Sequence, residues 1–380
     1  MNKVGLVTIY AKNYGSVLQC YASKQYLMKQ GFDCDALYHD ISGAEKLTYW
    51  FNKAIKVLFY SIKYNGFFRF FIEDTKAQHT SIDSLTKESV QYLDDFTQNI
   101  LQPKGYTVSQ LKSIQNEYSF FLAGADQVWN GARIIDPFMF LCFCDDKRKV
   151  SIAPSFGVNK ISKFNEKEFK KRLEGFAFLS AREISGQKII SSLTKKECER
   201  VADPVLLLKR DEWSEFGLRS KVSIEHQYVL VHFLDKPSDS TLRIINNIAK
   251  KKSLSIVCLS YPHDEYNQLD SFTFINGTPY DYIQLIENAD FVCTDSFHTT
   301  QFSIIFNKNF LVFERNYTHK NSQQSRLDTL ISIYSCADRF VQKGTEEIDY
   351  TKVDIAGDYK KITESEHDSL TLYLAKSLNM

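Results

Sequence analysis

The sequence predicts an α/β protein built from two Rossmann-like, doubly wound domains that face each other across a cleft. Short apolar, β-prone segments alternate with amphipathic helical segments along most of the 380 residues. This alternation is typical of parallel sheets covered by helices, and the chain is long enough for two domains of ordinary size. We expect an N-terminal domain over 1–208 with an aromatic, basic helical insertion near 45–100, a C-terminal domain over 209–345, and a helical tail over 346–380 that packs back on the first domain.

The N-terminal half begins with a predicted βαβ unit. A buried strand leads through a turn at 13–16 into an amphipathic helix, and a second strand follows. Asn13 and Gly15 therefore lie at a helix start, whose free N–H groups suit a phosphate or a carboxylate. A single glycine in a turn is more often plain turn chemistry. The strands of this half are expected at 4–10, 31–38, 118–123, 149–153 and 178–183, with later helices near 164–173 and 185–193.

The second half repeats the pattern. Its strands are expected at 228–233, 255–259, 272–275, 291–294 and 310–313, and its helices include 241–251 and 280–288, with a tail helix at 365–378. This arrangement predicts a second doubly wound sheet.

The stretch around 291–306 carries the most informative chemistry. An apolar strand ends at Thr294, and Asp295 and Ser296 supply the cap of a following helix that contains His298 and Thr299. Ligands bind at this edge of open α/β sheets. The helix start favours an anion, and a histidine can exchange protons near neutral pH. The plain alternative is a histidine that only caps or packs.

Other polar side chains follow strands of the first half. Asp126, Gln127 and Asn130 come directly after the strand at 118–123, and Arg182 ends the strand at 178–183. An arginine can hold a carboxylate or phosphate through paired hydrogen bonds. The alternatives are an Arg182 pair with Glu183 or another acid, and an Asp126 that only closes a turn.

Composition excludes several classes of protein. The formal net charge is +1, so no global field favours nucleic acid. The eight cysteines include no C-x-x-C pair, and no H-E-x-x-H occurs. We therefore expect a reduced, cytoplasmic protein without a bound metal or structural disulfides. No signal peptide and no membrane-spanning run is apparent.

Residues 46–72 form an unusual segment. They contain four lysines and one arginine, no acidic residue, and ten phenylalanine, tyrosine or tryptophan side chains. Basic, aromatic helices of this kind bind membrane surfaces, which predicts peripheral contact at the inner face of the membrane. The alternative is an insertion packed on the protein, with its lysines reaching to water.

Seven short motifs follow one another along nearly all of the chain except the aromatic insertion, at 13–19, 124–130, 155–157, 182–183, 203–204, 295–298 and 325–326. In their residues and their order these motifs together resemble those of the polysaccharide pyruvyl transferases. Two positions depart from the family pattern: Thr299 stands where glycine is common, and Ala153-Pro154 precedes the 155–157 motif.

The resemblance implies a two-domain fold similar to the GT-B glycosyltransferases. It also implies transfer of the pyruvyl unit of phosphoenolpyruvate onto sugar hydroxyls, giving a cyclic ketal and phosphate, with no cofactor and no metal. The acceptor would be a sugar of a polysaccharide repeat unit, which a cytoplasmic enzyme with a basic aromatic surface could meet on a lipid carrier.

That reaction needs an acid/base group and groups that hold the donor's anions. The expected acid/base group is His298, with Asp126 as a second base or a holder of the sugar hydroxyls. The donor is expected to contact Arg182, Arg326, Ser296, Thr299, Asn13 and Gly15, and the acceptor Gln127, Trp129, Asn130 and Asp295. Trp129 could instead pack in the core.

Two other classes of function remain open on the residues. The first is a nucleotide-sugar glycosyltransferase of GT-B type, which would bind a UDP- or GDP-sugar in place of phosphoenolpyruvate. The second is a non-catalytic factor for glycan assembly at the membrane surface.

Overall fold

The computed structural model describes residues 2–10, 12–64, 67–68, 71–72, 85–131, 133–315, 325–349 and 358–380. Part of the predicted insertion and part of the predicted tail lie outside these residues. The chain folds into two parallel sheets covered by helices.

The N-terminal sheet has five parallel strands in the order β3-β2-β1-β4-β5. The central strands β1 and β4 are almost fully buried and therefore almost wholly apolar. A small parallel pair, β6 and β7, follows. The strands are β1 (Lys3–Val7), β2 (Asp33–His39), β3 (Lys104–Tyr106), β4 (Phe120–Ala123), β5 (Lys149–Ser151), β6 (Ser180–Ala181) and β7 (Glu199–Arg200).

The C-terminal sheet has six parallel strands in the order β10-β9-β8-β11-β12-β13. This is the doubly wound order, with its reversal between β8 and β11. The strands are β8 (Tyr228–His232), β9 (Ser255–Leu259), β10 (Thr273–Ile275), β11 (Phe291–Thr294), β12 (Asn309–Phe313) and β13 (Phe340–Val341).

Helices cover both sheets and begin at caps that the sequence supplies. Asn13 and Ser296 accept hydrogen bonds from the first turns of the helices that follow them. The helices are α1 (Tyr14–Lys29), α2 (Gly43–Lys63), α3 (Lys87–Phe96), α4 (Val108–Ile114), α5 (Glu166–Leu173), α6 (Ile184–Leu193), α7 (Arg210–Gly217), α8 (Asp239–Lys252), α9 (Pro279–Asn288), α10 (Phe297–Ile305), α11 (Ser325–Tyr334) and α12 (Lys360–Leu378).

Aromatic contacts join α1 to the C-terminal domain. The Tyr21 ring lies 4.9 Å from that of Phe216 in α7, and Trp213 of α7 packs edge-on against Phe302 of α10 at 5.0 Å. One apolar cluster therefore spans both domains and fixes α1 against α10.

The C-terminal helix α12 returns to the N-terminal domain. Arg200 forms an ion pair with Glu366, and the Tyr373 hydroxyl donates to the Ser151 carbonyl at 2.7 Å. The helix thus packs on the strand that ends the first sheet.

The predicted fold class is confirmed, because two parallel α/β sheets form the molecule. The strand predicted at 178–183 is shorter than expected, because only Ser180 and Ala181 pair continuously, with β7, while Phe178 forms an isolated bridge to Val150. Among the described residues, no helix has the length and apolarity needed to cross a bilayer.

Candidate active site

The candidate site lies where the carboxyl edges of the two sheets meet. In the first sheet α1 follows β1 and Asp126 follows β4, so both flank the point at which strand order reverses. In the second sheet Ser296 follows β11 beside the end of β8. Ligands bind at such reversal points in open α/β sheets.

The first turns of α1 and α10 touch through Gly15 and His298. A Cβ atom added to Gly15 would lie 2.0 Å from His298 Nδ1, far inside van der Waals distance. Only glycine therefore lets the α1 backbone approach the imidazole this closely. His298 is 4 % exposed, and two helix N-termini point their positive dipole ends at its surroundings.

His298 lies beside a buried carboxylate. Its Nε2 atom is 3.5 Å from Asp203 Oδ2, and Asp203 also bonds to the Arg182 guanidinium. Although burial alone would raise the pKa of Asp203, His298 and Arg182 hold it well below its usual range. Asp203 is thus an anion that can orient the imidazole and stabilise its protonated form.

Arg182 is surrounded by acids. Besides Asp203, its Nε atom is 3.4 Å from Glu183 Oε1 and its Nη2 atom is 3.7 Å from Asp126 Oδ1. Its guanidinium also stacks over the Phe297 ring at 4.6 Å. The structure therefore realises the alternative in which Arg182 pairs with neighbouring carboxylates.

Asp126 links the two arginines to α1. Its Oδ2 atom accepts a 2.6 Å hydrogen bond from the Ser16 hydroxyl, and its Oδ1 atom is 3.5 Å from Arg326 Nη1. Burial acts to raise the pKa of Asp126, but Arg182 and Arg326 outweigh it and lower that pKa. Asp126 is therefore ionised and held beside the site.

Carboxylates and guanidiniums lie together beside His298 in one buried cluster. The carboxylates of Asp126, Glu183 and Asp203 face the guanidiniums of Arg182 and Arg326, and the Asp203 carboxylate lies next to His298 Nε2. A carboxylate in this position can support an imidazole that donates a proton and later regains it.

The segment before Gly157 supports the same cluster from its backbone. The Pro154 carbonyl accepts from the Arg182 amide at 3.3 Å, and the Ser155 amide donates to the Asp126 carbonyl at 2.7 Å. The unusual Ala153-Pro154 pair is therefore part of the frame that positions Arg182 and Asp126.

The Thr299 hydroxyl lies on the far side of α10 from the charged cluster. It bonds to His232 Nδ1 at 2.8 Å and to the Tyr282 hydroxyl at 2.9 Å. Burial lowers the pKa of His232 to about 3, so this imidazole is neutral. Tyr282 in turn stacks on Tyr14 of α1 at 4.8 Å. Thr299 thus joins α10 to the core, a position different from the donor contact expected of its hydroxyl.

The residues expected to contact the acceptor divide into two groups. Trp129 is 1 % exposed, donates to the Met139 carbonyl and stacks on Phe140. Its ring is core packing and offers no face to a sugar. Gln127 and Asn130 are half-buried and bond to each other at 2.8 Å beside Gly157.

Asp295 lies apart from His298 although only two residues separate them. Its carboxylate accepts from the Leu234 and Asp235 amides at 2.7 and 2.9 Å, and burial raises its pKa to about 6. Asp295 therefore holds the loop that follows β8, which is not the acceptor contact expected from the sequence.

Three residues of the site were not predicted from the sequence. They are Asp203, Ser16 and Tyr14, and nothing in the sequence distinguishes them from ordinary capping and core residues. Tyr14 crosses the domain boundary, because its hydroxyl lies 2.6 Å from Ser260 Oγ. Their positions in the sequence could have indicated them, since Asp203 belongs to the motif at 203–204 and the other two residues flank Gly15.

Two solved structures with a similar architecture are UDP-GlcNAc 2-epimerases. A UDP-GlcNAc 2-epimerase from Neisseria meningitidis bound to UDP-GlcNAc shares 8% identity, with a TM-score of 0.53 over 100% of this chain and 99% of that one. One from Methanocaldococcus jannaschii shares 10% identity, with a TM-score of 0.55 over 99% of both chains. At such low identity these likenesses establish the fold, which is of the GT-B type.

Sequence comparison identifies the family. No curated protein sequence matches this chain. The family profile described as polysaccharide pyruvyl transferase matches residues 13–317, which include His298 and the members of its charged cluster other than Arg326. The chain therefore belongs to the polysaccharide pyruvyl transferase family.

Proposed function

We propose that this protein transfers the pyruvyl unit of phosphoenolpyruvate onto two hydroxyls of a sugar in a polysaccharide repeat unit, forming a cyclic ketal. Membership of the family supports a transferase that acts on polysaccharide. The observation that carries the finer proposal is the His298–Asp203 pair at the facing N-termini of α1 and α10. It combines a proton donor with two sites for anions.

In the proposed reaction the His298 imidazolium gives its proton to C3 of phosphoenolpyruvate. A sugar hydroxyl oxygen bonds to C2, and its proton returns to His298. The C2–O bond to phosphate then breaks, and a second hydroxyl closes the ring while its proton leaves with the phosphate. Asp203 stabilises the imidazolium at the start and at the end of this cycle.

The donor's negative charges require positive partners. Arg182 already faces three carboxylates. We therefore propose that it acts on the donor through these neighbours and does not bind the donor itself. The stronger candidates are the free N–H groups of the two helix starts and Arg326. The sugar hydroxyls would lie beside Asp126, whose carboxylate is ionised.

Donor entry requires the two domains to separate. The cavity lined by Arg182, Asp203, Phe297 and Arg326 measures about 20 Å³, which is room for one water molecule. We therefore propose that phosphoenolpyruvate binds when the first turns of α1 and α10 move apart, and that closure excludes water during transfer.

Calorimetric titration tests the donor without any acceptor. We expect phosphoenolpyruvate to bind while UDP-GlcNAc and GDP-mannose do not. Arg326→Gln should weaken the binding, and the exposed Arg210→Gln serves as the matched control. Binding of a nucleotide sugar alone would overturn the proposal in favour of a glycosyltransferase.

A further inference from the structure

Helix α2 presents a broad apolar face to solvent. Seven large apolar side chains of this helix are about half to four-fifths exposed, among them Leu47 at 81 % and Ile62 at 79 %. Their spacing of three and four residues places them on one side of the helix. The seven are Leu47, Trp50, Phe51, Ile55, Leu58, Phe59 and Ile62.

The opposite face of α2 is fixed to the N-terminal domain. Tyr60 is buried and packs against Phe164 at 5.5 Å, and Lys56 pairs with Glu168 of α5 at 3.0 Å. Since these contacts hold one side of the helix, the exposed apolar side chains are presented outward on a supported surface. So extensive an exposed apolar surface marks an interaction site.

The charges around this face identify its partner. Besides the paired Lys56, helix α2 carries Lys46, Lys53 and Lys63, and its single acidic residue is Glu45 in the first turn. Lys53 and Lys63 lie over the rings of Trp50 and Phe59 at 4.9 and 5.7 Å. A basic rim around aromatic side chains complements an anionic lipid surface. A second copy of the chain would instead bring lysines opposite lysines.

The position of α2 relates this face to the candidate active site. The helix begins close to the carboxyl edge of the first sheet, where Tyr49 packs edge-on against His39 at the end of β2, 5.8 Å between ring centres. Asp126 follows β4 at the same edge of the sheet. A partner surface bound to α2 therefore lies on the same side of the N-terminal domain as the carboxyl edge of its sheet.

We propose that α2 lies in the interface of an anionic lipid bilayer, with its exposed apolar side chains among the acyl chains and Lys46, Lys53 and Lys63 at the headgroups.

Vesicle sedimentation tests this proposal. The probes are phosphatidylcholine vesicles with and without phosphatidylglycerol. The wild type is compared with an α2 variant that combines Leu47→Ser, Phe51→Ser, Leu58→Ser and Ile62→Ser. The control variant combines Leu218→Ser and Leu372→Ser, which remove equally exposed leucines elsewhere. We expect wild type and control to sediment with anionic vesicles roughly tenfold more strongly than with neutral ones. The α2 variant should remain in solution. Wild type that sediments with neither vesicle would overturn the proposal, as would an α2 variant that sediments like wild type.

A charge variant separates lipid binding from self-association. Lys46→Gln combined with Lys53→Gln and Lys63→Gln should lower sedimentation with anionic vesicles by about tenfold, while Lys170→Gln combined with Lys171→Gln, on exposed positions of α5, should not. Dimers of the wild type that disappear in the α2 variant, without vesicle binding, would assign the face to a second copy and contradict the proposal. Because phosphoenolpyruvate titration of the α2 variant measures the donor site independently, failure of this inference is distinguishable from failure of the proposed function.

Discussion

Gly15 lies so close to His298 that a single methyl group at Gly15 would fall 2.0 Å from the imidazole Nδ1 atom. The two residues belong to different domains, so this contact shows that the first turns of α1 and α10 pack closely against each other. That approach brings two residues of the C-terminal domain to carboxylates of the N-terminal domain: His298 lies beside Asp203, and Arg326 lies beside Asp126.

Gly15→Ala should reduce turnover by about 100-fold, because the imidazole must move by an ångström or more to admit the new Cβ atom. The measurement is phosphate release from phosphoenolpyruvate in the presence of acceptor. Gly217→Ala is the control, because its Cβ would meet its nearest atom at an ordinary 3.4 Å. Equal activity of the two variants would show that His298 is not held in place by this contact.

Asp203→Asn should lower turnover, because the amide carries no negative charge to stabilise a proton on the imidazole that lies 3.5 Å away. Phosphate release from phosphoenolpyruvate in the presence of acceptor measures the loss. Turnover at the wild-type rate would indicate a purely structural Asp203.

Acid stability tests the charge state of Asp203 in a second way. Its pKa in the folded protein lies below its ordinary value near 3.8, so its stabilising contribution is present above pH 4 and is lost as pH falls through the folded value. Between about pH 5 and pH 2, the wild type should lose on the order of 2 kcal/mol more unfolding free energy than Asp203→Asn. Urea unfolding of both proteins across this range measures the difference, and parallel curves would contradict the assignment.

Thr299→Val should destabilise the protein by about 1–3 kcal/mol without changing donor affinity. The substitution removes the hydroxyl that bonds His232 and Tyr282 and leaves buried polar atoms without it. Thermal unfolding and phosphoenolpyruvate titration of the same sample check both halves of this prediction. Weaker phosphoenolpyruvate binding with an unchanged unfolding temperature would instead indicate that the Thr299 hydroxyl contacts the donor.

Much of the fold could be predicted from the sequence because buried parallel strands are continuous apolar runs. The predicted strands 255–259 and 291–294 coincide with β9 and β11, and the start of α10 follows from its serine cap. The short strand β3 (Lys104–Tyr106) carries too little apolar pattern to be recognised, since its residues are only partly buried or exposed.

The candidate site was predictable in position but not in its contacts. The rule that ligands meet strand ends located His298, Asp126 and Arg182, and the structure brings all three into one cluster around Asp203. The same rule predicted Trp129 at the site, yet its ring lies in the core, where it stacks on Phe140 and donates to the Met139 carbonyl. Side-chain direction and contacts across the domain boundary are tertiary properties that local pattern does not encode.

The most direct test of the account is phosphate release from phosphoenolpyruvate by wild type and His298→Ala in the presence of a panel of aryl hexosides and of lipid-extracted glycan, with product mass as the second readout. We predict that the wild type releases one phosphate for each sugar that gains a pyruvate ketal. We also predict that His298→Ala, with an unchanged thermal unfolding midpoint, releases none. Turnover by His298→Ala at the wild-type rate would contradict the central claim that this imidazole moves the protons of the reaction.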